Sequence, residues 1–155
     1  MTQNGPASAE ATVTIAADPA AVYALITDLP TLAELAEEAN AMTWHKGGSC
    51  TPGSVFKGRN SNGGKSWTTT CTVTNAEPGR VFAFDVKLFV VPVAHWRYEI
   101  EPVDGGCRVT EQTWDRRPGW FRKPAGIATG VSDRTSVNAK NIELTLQRLK
   151  ARAEA

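Results

Sequence analysis

The stretch that decides the fold is the last one, residues 130–153, which reads GVSDRTSVNAKNIELTLQRLKARA. Six of its side chains recur at the spacing of one face of a helix: Val131, Thr135, Asn138, Ile142, Leu146 and Leu149. Lys150 and Arg152 lie in the last turn, where cations are favourable for the helix dipole. We therefore predict one long amphipathic helix from about Gly130 to Ala153.

The sequence before this helix alternates between apolar and polar residues, as β-strands do. Seven strands are predicted, near Glu10–Ile15, Ala41–Lys46, Ser54–Asn60, Lys65–Asn75, Val81–Lys87, Ala94–Pro102 and Cys107–Arg116. The connections Asn62-Gly63-Gly64, Glu77-Pro78-Gly79-Arg80 and Asp104-Gly105-Gly106 are typical of tight turns. Such short connections make the sheet antiparallel.

Two short helices are predicted between the first and second strands. Asp18 is placed to cap the first of them, and Pro19 fits its first turn because no backbone donor is needed there. Pro30 begins the second. The result is an α+β chain in which one long helix must be covered by a curved seven-stranded antiparallel sheet. A single helix cannot fill such a sheet completely, so we expect a cavity between the two.

Composition indicates one compact domain. The chain has 155 residues, a net charge of +1 and 41% hydrophobic residues, which predicts a single domain over residues 9–155 after a flexible tail at residues 1–8. The balanced charge argues against nucleic-acid binding. An odd number of cysteines, no signal-like segment and no apolar run long enough to span a membrane favour a reduced, cytoplasmic protein. No residue pattern predicts a metal site or a cofactor.

Strand alternation predicts which side chains face the helix. Trp67 and Thr69 lie on one face of their strand, and a row of Ser and Thr residues lies on the other. In the same way Trp96 and Tyr98 are predicted to point inward, while His95 points outward. The inner face is therefore expected to be aromatic and aliphatic, with a few polar groups.

Glu111 is the most informative of these polar groups, because an inward carboxylate is unfavourable to bury unless it is paired or protonated. Three interpretations are open. Glu111 lines a wet or ligand-filled cavity, it pairs with a cation such as Arg134, or the strand register places it outside.

Residues 116–124, RRPGWFRKP, combine four cations with two large aromatic residues. One interpretation is an ordinary solvated loop with its aromatic residues packed on the core. The other is a portal in which Trp120 and Phe121 cover the cavity mouth while Arg116, Arg117, Arg122 and Lys123 meet an anionic head group or membrane surface.

Several stretches resemble the SRPBCC superfamily, which includes polyketide cyclases, START lipid-transfer domains and the major birch-pollen allergen. The resemblance lies in residues 17–23 (ADPAAVY), 96–98 (WRY), 105–111 (GGCRVTE) and 144–150 (LTLQRLK), and it extends over nearly the whole chain. It is closest to actinobacterial polyketide cyclase/dehydrase-like members. The resemblance implies a helix-grip fold with a hydrophobic cavity, but it does not fix the activity, since members include carriers, cyclases, receptors and hydrolases.

The predicted function is binding of a small hydrophobic or lipid-like molecule, with transport of that molecule as an extension of binding. The alternative is a cyclase, aromatase or dehydratase with Glu111 and Tyr98 as catalytic candidates. A third class, a protein-binding module, would use the exposed Ser/Thr face of Lys65–Thr74. The predicted ligand-binding residues are Phe56, Trp67, Thr69, Phe84, Trp96, Tyr98, Glu111, Thr113, Thr135 and Asn138.

Overall fold

The computed structural model describes residues 5–46, 48–130 and 133–155. In chain order the elements are β1 (Ala9–Ile15), α1 (Pro19–Thr27), α2 (Leu29–Leu35), β2 (Ala39–Lys46), β3 (Val55–Asn62), β4 (Lys65–Glu77), β5 (Val81–Leu88), β6 (Val91–Val103), β7 (Gly106–Asp115), a single 3₁₀ turn (Gly119–Phe121), α3 (Arg122–Thr129) and α4 (Arg134–Glu154).

All seven strands form one antiparallel sheet with the order β1-β7-β6-β5-β4-β3-β2. The sheet curves around α4, which confirms the predicted α+β helix-grip architecture. At its closed corner β7 begins against the end of β1, and a Cβ on Gly106 would lie 2.0 Å from the Ile15 carbonyl oxygen. Position 106 therefore has no room for a side chain, which is why it is glycine. The neighbouring Gly105 supplies the positive φ of the turn.

The core lies between the sheet and the part of α4 that begins at Ile142, a residue that also borders the cavity described below. Ile142, Leu146 and Leu149 are buried there among side chains of α1, α2 and the inner face of the sheet. Polar contacts at the surface hold the same part of the helix, because Arg148 pairs with Glu37 and Arg152 pairs with Glu34. This part of α4 is thus fixed on two sides.

The C-terminal region contains two helices where one was predicted. The prediction of a helix from about Gly130 is wrong at its start, because α4 begins at Arg134 with Asp133 as its N-cap. Residues 122–129 form the separate helix α3, which ends at Gly130 in the left-handed conformation, φ 72°. Gly130 therefore ends a helix, as glycine commonly does. Val131 lies outside the described residues.

Residues 1–4 of the predicted tail lie outside the described residues, and residues 5–8 are connected to β7 by hydrogen bonds. The Ser8 amide donates to the Thr113 carbonyl, and the Trp114 indole donates to the Gly5 carbonyl. His95 is buried against the Trp114 ring, and its Nδ1 lies 2.7 Å from an Asp85 carboxylate oxygen. His95 therefore faces away from the cavity but is not exposed to solvent.

The predicted cap at Asp18 is also corrected. Asp18 occupies the N-cap position of α1 without a side-chain hydrogen bond, whereas Asp28 caps α2 by accepting hydrogen bonds from the Thr31 amide and hydroxyl. The two aspartates thus form a natural pair for comparison, since each precedes a short helix with proline in its first turn.

We expect Asp28→Ala to lower the free energy of unfolding by about 1 kcal/mol, because it removes the cap and leaves the buried Thr31 hydroxyl without its acceptor. Asp18→Ala is the matched control and should cost less than about 0.5 kcal/mol. Urea denaturation followed by circular dichroism measures both. Equal losses for the two variants would show that the side-chain cap at Asp28 does not stabilise α2.

Candidate functional site

A cavity of about 190 Å³ lies between the sheet and the N-terminal half of α4. The strands contribute every second side chain, as alternation predicts: Phe56, Gly58 and Asn60 from β3, Trp67, Thr69 and Cys71 from β4, Phe84, Val86 and Leu88 from β5, and Ala94, Trp96 and Tyr98 from β6. These residues make most of the wall apolar and aromatic. An engineered apolar cavity of about 150 Å³ holds benzene, so this space suits a molecule of one or two rings.

Helix α4 presents a polar face to this cavity. Arg134, Asn138, Asn141 and Thr145 line it, at the spacing of one helical face. Asn138 was predicted, whereas the lining positions of Arg134, Asn141 and Thr145 were missed because each stands one position before a residue of the predicted stripe. Thr135 is exposed and does not line the cavity. Thr135 lies about 100° around the helix from Arg134. In the first turn of α4, Arg134 faces the cavity and the predicted stripe, which includes Thr135, does not.

Glu111 and Tyr98 are neighbours across β7 and β6, and both line the cavity. Glu111 is only 3% exposed. Burial raises the pKa of its carboxyl to about 8, although a hydrogen bond with the Tyr98 hydroxyl lowers it in part. Burial likewise raises the pKa of Tyr98 well above its ordinary value. At neutral pH Glu111 is therefore largely protonated, which is how an inward carboxyl avoids carrying an unpaired charge.

Thr113 faces inward, and its hydroxyl makes a hydrogen bond within the sheet. It is fully buried, and its hydroxyl donates to the His95 carbonyl at 3.2 Å instead of reaching the cavity wall. Thr113, a predicted ligand-binding residue, is therefore not among the residues that line the cavity.

Arg134 and Glu38 form a second polar group at the opposite side of the cavity. The Arg134 guanidinium donates to Glu38 Oε1 at 2.5 Å and lies over the Trp67 ring, 5.9 Å from its centroid. The proposed partnership of Arg134 with Glu111 is not formed. Glu38 follows α2, and its backbone carbonyl accepts from Ser61 at the end of β3, so three strands separate this group from Glu111.

Two buried side-chain oxygens have no hydrogen-bond partner among the described residues, namely Glu38 Oε2 and Glu111 Oε1. Both residues line the same cavity. A buried polar atom without a partner is unfavourable by about 1–3 kcal/mol, so such atoms indicate positions where a further hydrogen bond is stabilising. The cavity thus has one such position on each side of an apolar middle.

Asp115 and Arg117 form a third polar pair on the wall, next to α3. The Arg117 guanidinium donates to both carboxylate oxygens of Asp115, at 3.0 and 2.8 Å. Burial alone would raise the pKa of Asp115, but the hydrogen bonds and charge of Arg117 outweigh it, and the pKa is lowered. Arg117 is therefore already paired with a carboxylate.

The predicted gate residues do not line the cavity. Trp120 is 71% exposed, and Phe121 packs edge-on against it with ring centroids 5.3 Å apart. The cavity is covered instead by α3, through Ala125 and Thr129. Both interpretations of residues 116–124, a solvated loop and a portal, leave out helix α3, although Pro124 in its first turn and Gly130 after its last are ordinary helix-boundary signals.

A curved antiparallel sheet around a C-terminal helix, with an internal cavity between them, defines a helix-grip protein. The chain belongs to the family described as polyketide cyclase / dehydrase and lipid transport, whose model matches residues 6–154, and hence to the SRPBCC superfamily. No curated protein is similar enough in sequence to count as a match.

Solved structures agree with this assignment. The Polyketide_cyc-like protein Cgl2372 of Corynebacterium glutamicum is 26% identical, with a TM-score of 0.62 over 94% of this chain and 91% of its own. Ara h 8.0201 is 15% identical, with a TM-score of 0.67 over 93% and 95%. The di-domain ARO/CYC StfQ of the steffimycin biosynthetic pathway is 16% identical, with a TM-score of 0.72 over 94% of this chain and 50% of its own.

Family and fold together support a hydrophobic ligand-binding or polyketide cyclase-like protein. None of the described helices is long and apolar enough to cross a lipid bilayer. The three cysteines are unpaired, and burial raises the pKa of Cys71 to about 12, so this cavity-lining thiol is a poor nucleophile at neutral pH.

Because the pKa of Glu111 is raised from its ordinary 4.5 to about 8, the folded state keeps a proton that the unfolded chain releases. Below pH ~4.5 the carboxyl is protonated in both states, so it does not lower the free energy of unfolding. Between pH ~5 and ~8 the free energy of unfolding falls by up to about 1.4 kcal/mol per pH unit. We expect Glu111→Gln to remove this decline and to be more stable than the wild type at pH 8.5.

Denaturation at several pH values measures this difference, and Glu143→Gln, at an exposed position of α4, is the control. Parallel stability curves for wild type and Glu111→Gln across this range would show that Glu111 is ionised in the folded protein.

Proposed function

We propose that the protein binds, and carries, a small and largely apolar molecule that has a hydrogen-bonding group at each end. The observation that carries this proposal is the pair of partnerless carboxyl oxygens at opposite sides of one aromatic cavity. Protonated Glu111 presents a donor as well as an acceptor, whereas Glu38, held by Arg134, presents an acceptor. A ring system with two hydroxyl groups matches this arrangement.

The aromatic walls support the same ligand class. Phe56 and Phe84 pack edge-on at 5.2 Å, and Trp67 and Trp96 extend this surface on the neighbouring strands. Such surfaces bind planar apolar molecules, while a few polar groups fix their orientation. A molecule without polar groups would leave both carboxyl oxygens without a partner.

A second candidate, an enzyme of the cyclase, aromatase or dehydratase type, is favoured by the Glu111 pKa of about 8. A carboxyl that titrates near neutral pH can give or accept a proton at a substrate carbonyl oxygen or at the carbon beside it. Tyr98 lies beside Glu111 and would orient it.

The portal beside residues 116–124 remains part of the proposal in altered form. With Trp120 and Phe121 away from the cavity, α3 is the element that must move for a ligand to enter. Between α3 and the β3–β4 hairpin, the Asn62 side chain donates to the Thr129 carbonyl at 3.3 Å. Arg122 and Lys123 are exposed beside this entrance and could meet an anionic group.

We expect 1,5-dihydroxynaphthalene to bind about tenfold more tightly than naphthalene, because each hydroxyl meets one partnerless oxygen. Ala125→Phe should abolish binding by filling the cavity, whereas Ala128→Phe, on the exposed side of the same helix, should not. Calorimetry and tryptophan fluorescence measure the affinities.

Native mass spectrometry of protein purified from its own host would identify the natural ligand. Binding that survives Ala125→Phe, or equal affinity for both naphthalene probes, would refute the proposed site.

If the enzymatic candidate is correct, Glu111→Gln should slow conversion of a poly-β-carbonyl compound by at least about 100-fold. The affinity of the variant for 1,5-dihydroxynaphthalene should change by less than about threefold, since Gln still donates and accepts. Product analysis by mass spectrometry gives the rate. Unchanged turnover in this variant would remove the catalytic role of Glu111 without affecting the binding proposal.

A further inference from the structure

The turn between β5 and β6 exposes two apolar residues in a strained backbone. Phe89 is 81% exposed and Val90 is 86% exposed. Phe89 is also the one described residue other than glycine with a positive φ, 58°. Bulky residues rarely adopt this conformation, and glycine normally occupies it in two-residue hairpin turns. Neither exposure nor strain helps the chain to fold, so another function has to account for Phe89.

This turn lies at the edge of the cavity. Leu88, before the turn, and Val93, after it, both line the cavity wall. The Arg116 amide donates to the Val93 carbonyl, which brings the segment after β7 alongside the turn. That segment carries the exposed Trp120 and Ile127. Among the described residues, the large hydrophobic side chains that are exposed are these four: Phe89, Val90, Trp120 and Ile127.

Along the two segments that carry these four residues, residues 86–98 and 116–132, the sequence has cations and no acidic residue. The sequence has no Asp or Glu between Asp115 and Asp133, and none between Asp85 and Glu99. Lys87, Arg122 and Lys123 are exposed there, and none takes part in an ion pair within the described part of the chain. Exposed apolar side chains accompanied by exposed cations are typical of surfaces that bind anionic bilayers.

We propose that Phe89, Val90, Trp120 and Ile127, with Lys87, Arg122 and Lys123, form a docking surface for an anionic phospholipid bilayer. The apolar side chains enter the interface while the cations contact head groups, so that α3 and the cavity edge face the lipid. A bilayer fits better than a protein partner, because lysine is depleted from protein interfaces. The docking surface itself does not depend on the proposed ligand binding. Its purpose does, because that purpose is transfer of the ligand between bilayer and cavity.

The test is co-sedimentation of ligand-free protein with vesicles of phosphatidylcholine, with and without about 30% phosphatidylserine. We expect binding to the anionic vesicles only, and at least a tenfold weakening at about 0.5 M salt. The double variant Arg122→Glu/Lys123→Glu should weaken binding at least about tenfold. Arg59→Glu/Lys140→Glu makes the same change of charge at exposed positions elsewhere and should stay within about twofold of the wild type.

Phe89→Gly separates docking from a structural role. Glycine relieves the positive φ, so the midpoint of thermal unfolding should rise by about 2–4 °C while vesicle affinity falls at least about tenfold. A lower midpoint would mean that Phe89 supports the fold.

No binding to anionic vesicles at low salt would overturn the proposal. So would binding that the Phe89 and Arg122/Lys123 variants leave unchanged, or stoichiometric binding of a protein at this surface in place of lipid. Ala125→Phe should bind vesicles normally. If the naphthalene probes fail while vesicle binding remains, the proposed ligand is wrong and the docking surface stands.

Discussion

The packing of one helix half into a curved sheet is the interaction on which the rest of this structure depends. Ile142, Leu146 and Leu149 fill the concave face where α4 runs over β1, β7 and the two short helices. Burying such side chains contributes about 1.5–3 kcal/mol each, and the ion pairs of Arg148 and Arg152 add little at an exposed surface. The C-terminal half of α4 is therefore anchored by apolar burial, which leaves the N-terminal half free to present polar side chains. The cavity is the direct result of that division.

The division also explains why the polar groups of the cavity are tolerated. A carboxyl such as Glu111 in the apolar core would be strongly destabilising, but here it stays protonated beside Tyr98 and borders open space. Glu38 remains next to the guanidinium of Arg134, and Asp115 next to that of Arg117. Each carboxyl therefore has its own means of avoiding an unpaired buried charge. Of these three carboxyl groups, those of Glu38 and Glu111 each keep one buried oxygen without a hydrogen-bond partner.

Regular elements could be predicted from the sequence, because periodicity is a local property. Alternation in β4 and β6 predicts that Trp67, Thr69, Trp96 and Tyr98 point inward, and all four line the cavity. Properties set by distant segments could not be predicted in this way. The Trp114 indole, which packs against His95, donates to the Gly5 carbonyl 109 positions away in the chain, and the partner of Arg134 is Glu38 and not Glu111. Helix α3 was missed for a different reason. Its alternation of proline, glycine and small residues has too weak an apolar stripe to separate it from a loop.

The weakness of α3 as a helix is itself consistent with its position over the cavity. An element that admits ligand must open at low cost, and low local stability follows from few buried side chains and few hydrogen bonds to the rest of the fold. Ala125 and Thr129 are the buried residues of α3, both of them small, and the left-handed Gly130 ends the helix just ahead of α4. A helix with large apolar anchors would have closed the cavity permanently. The same compositional feature that hid α3 from sequence analysis is therefore what suits it to cover a site that has to open.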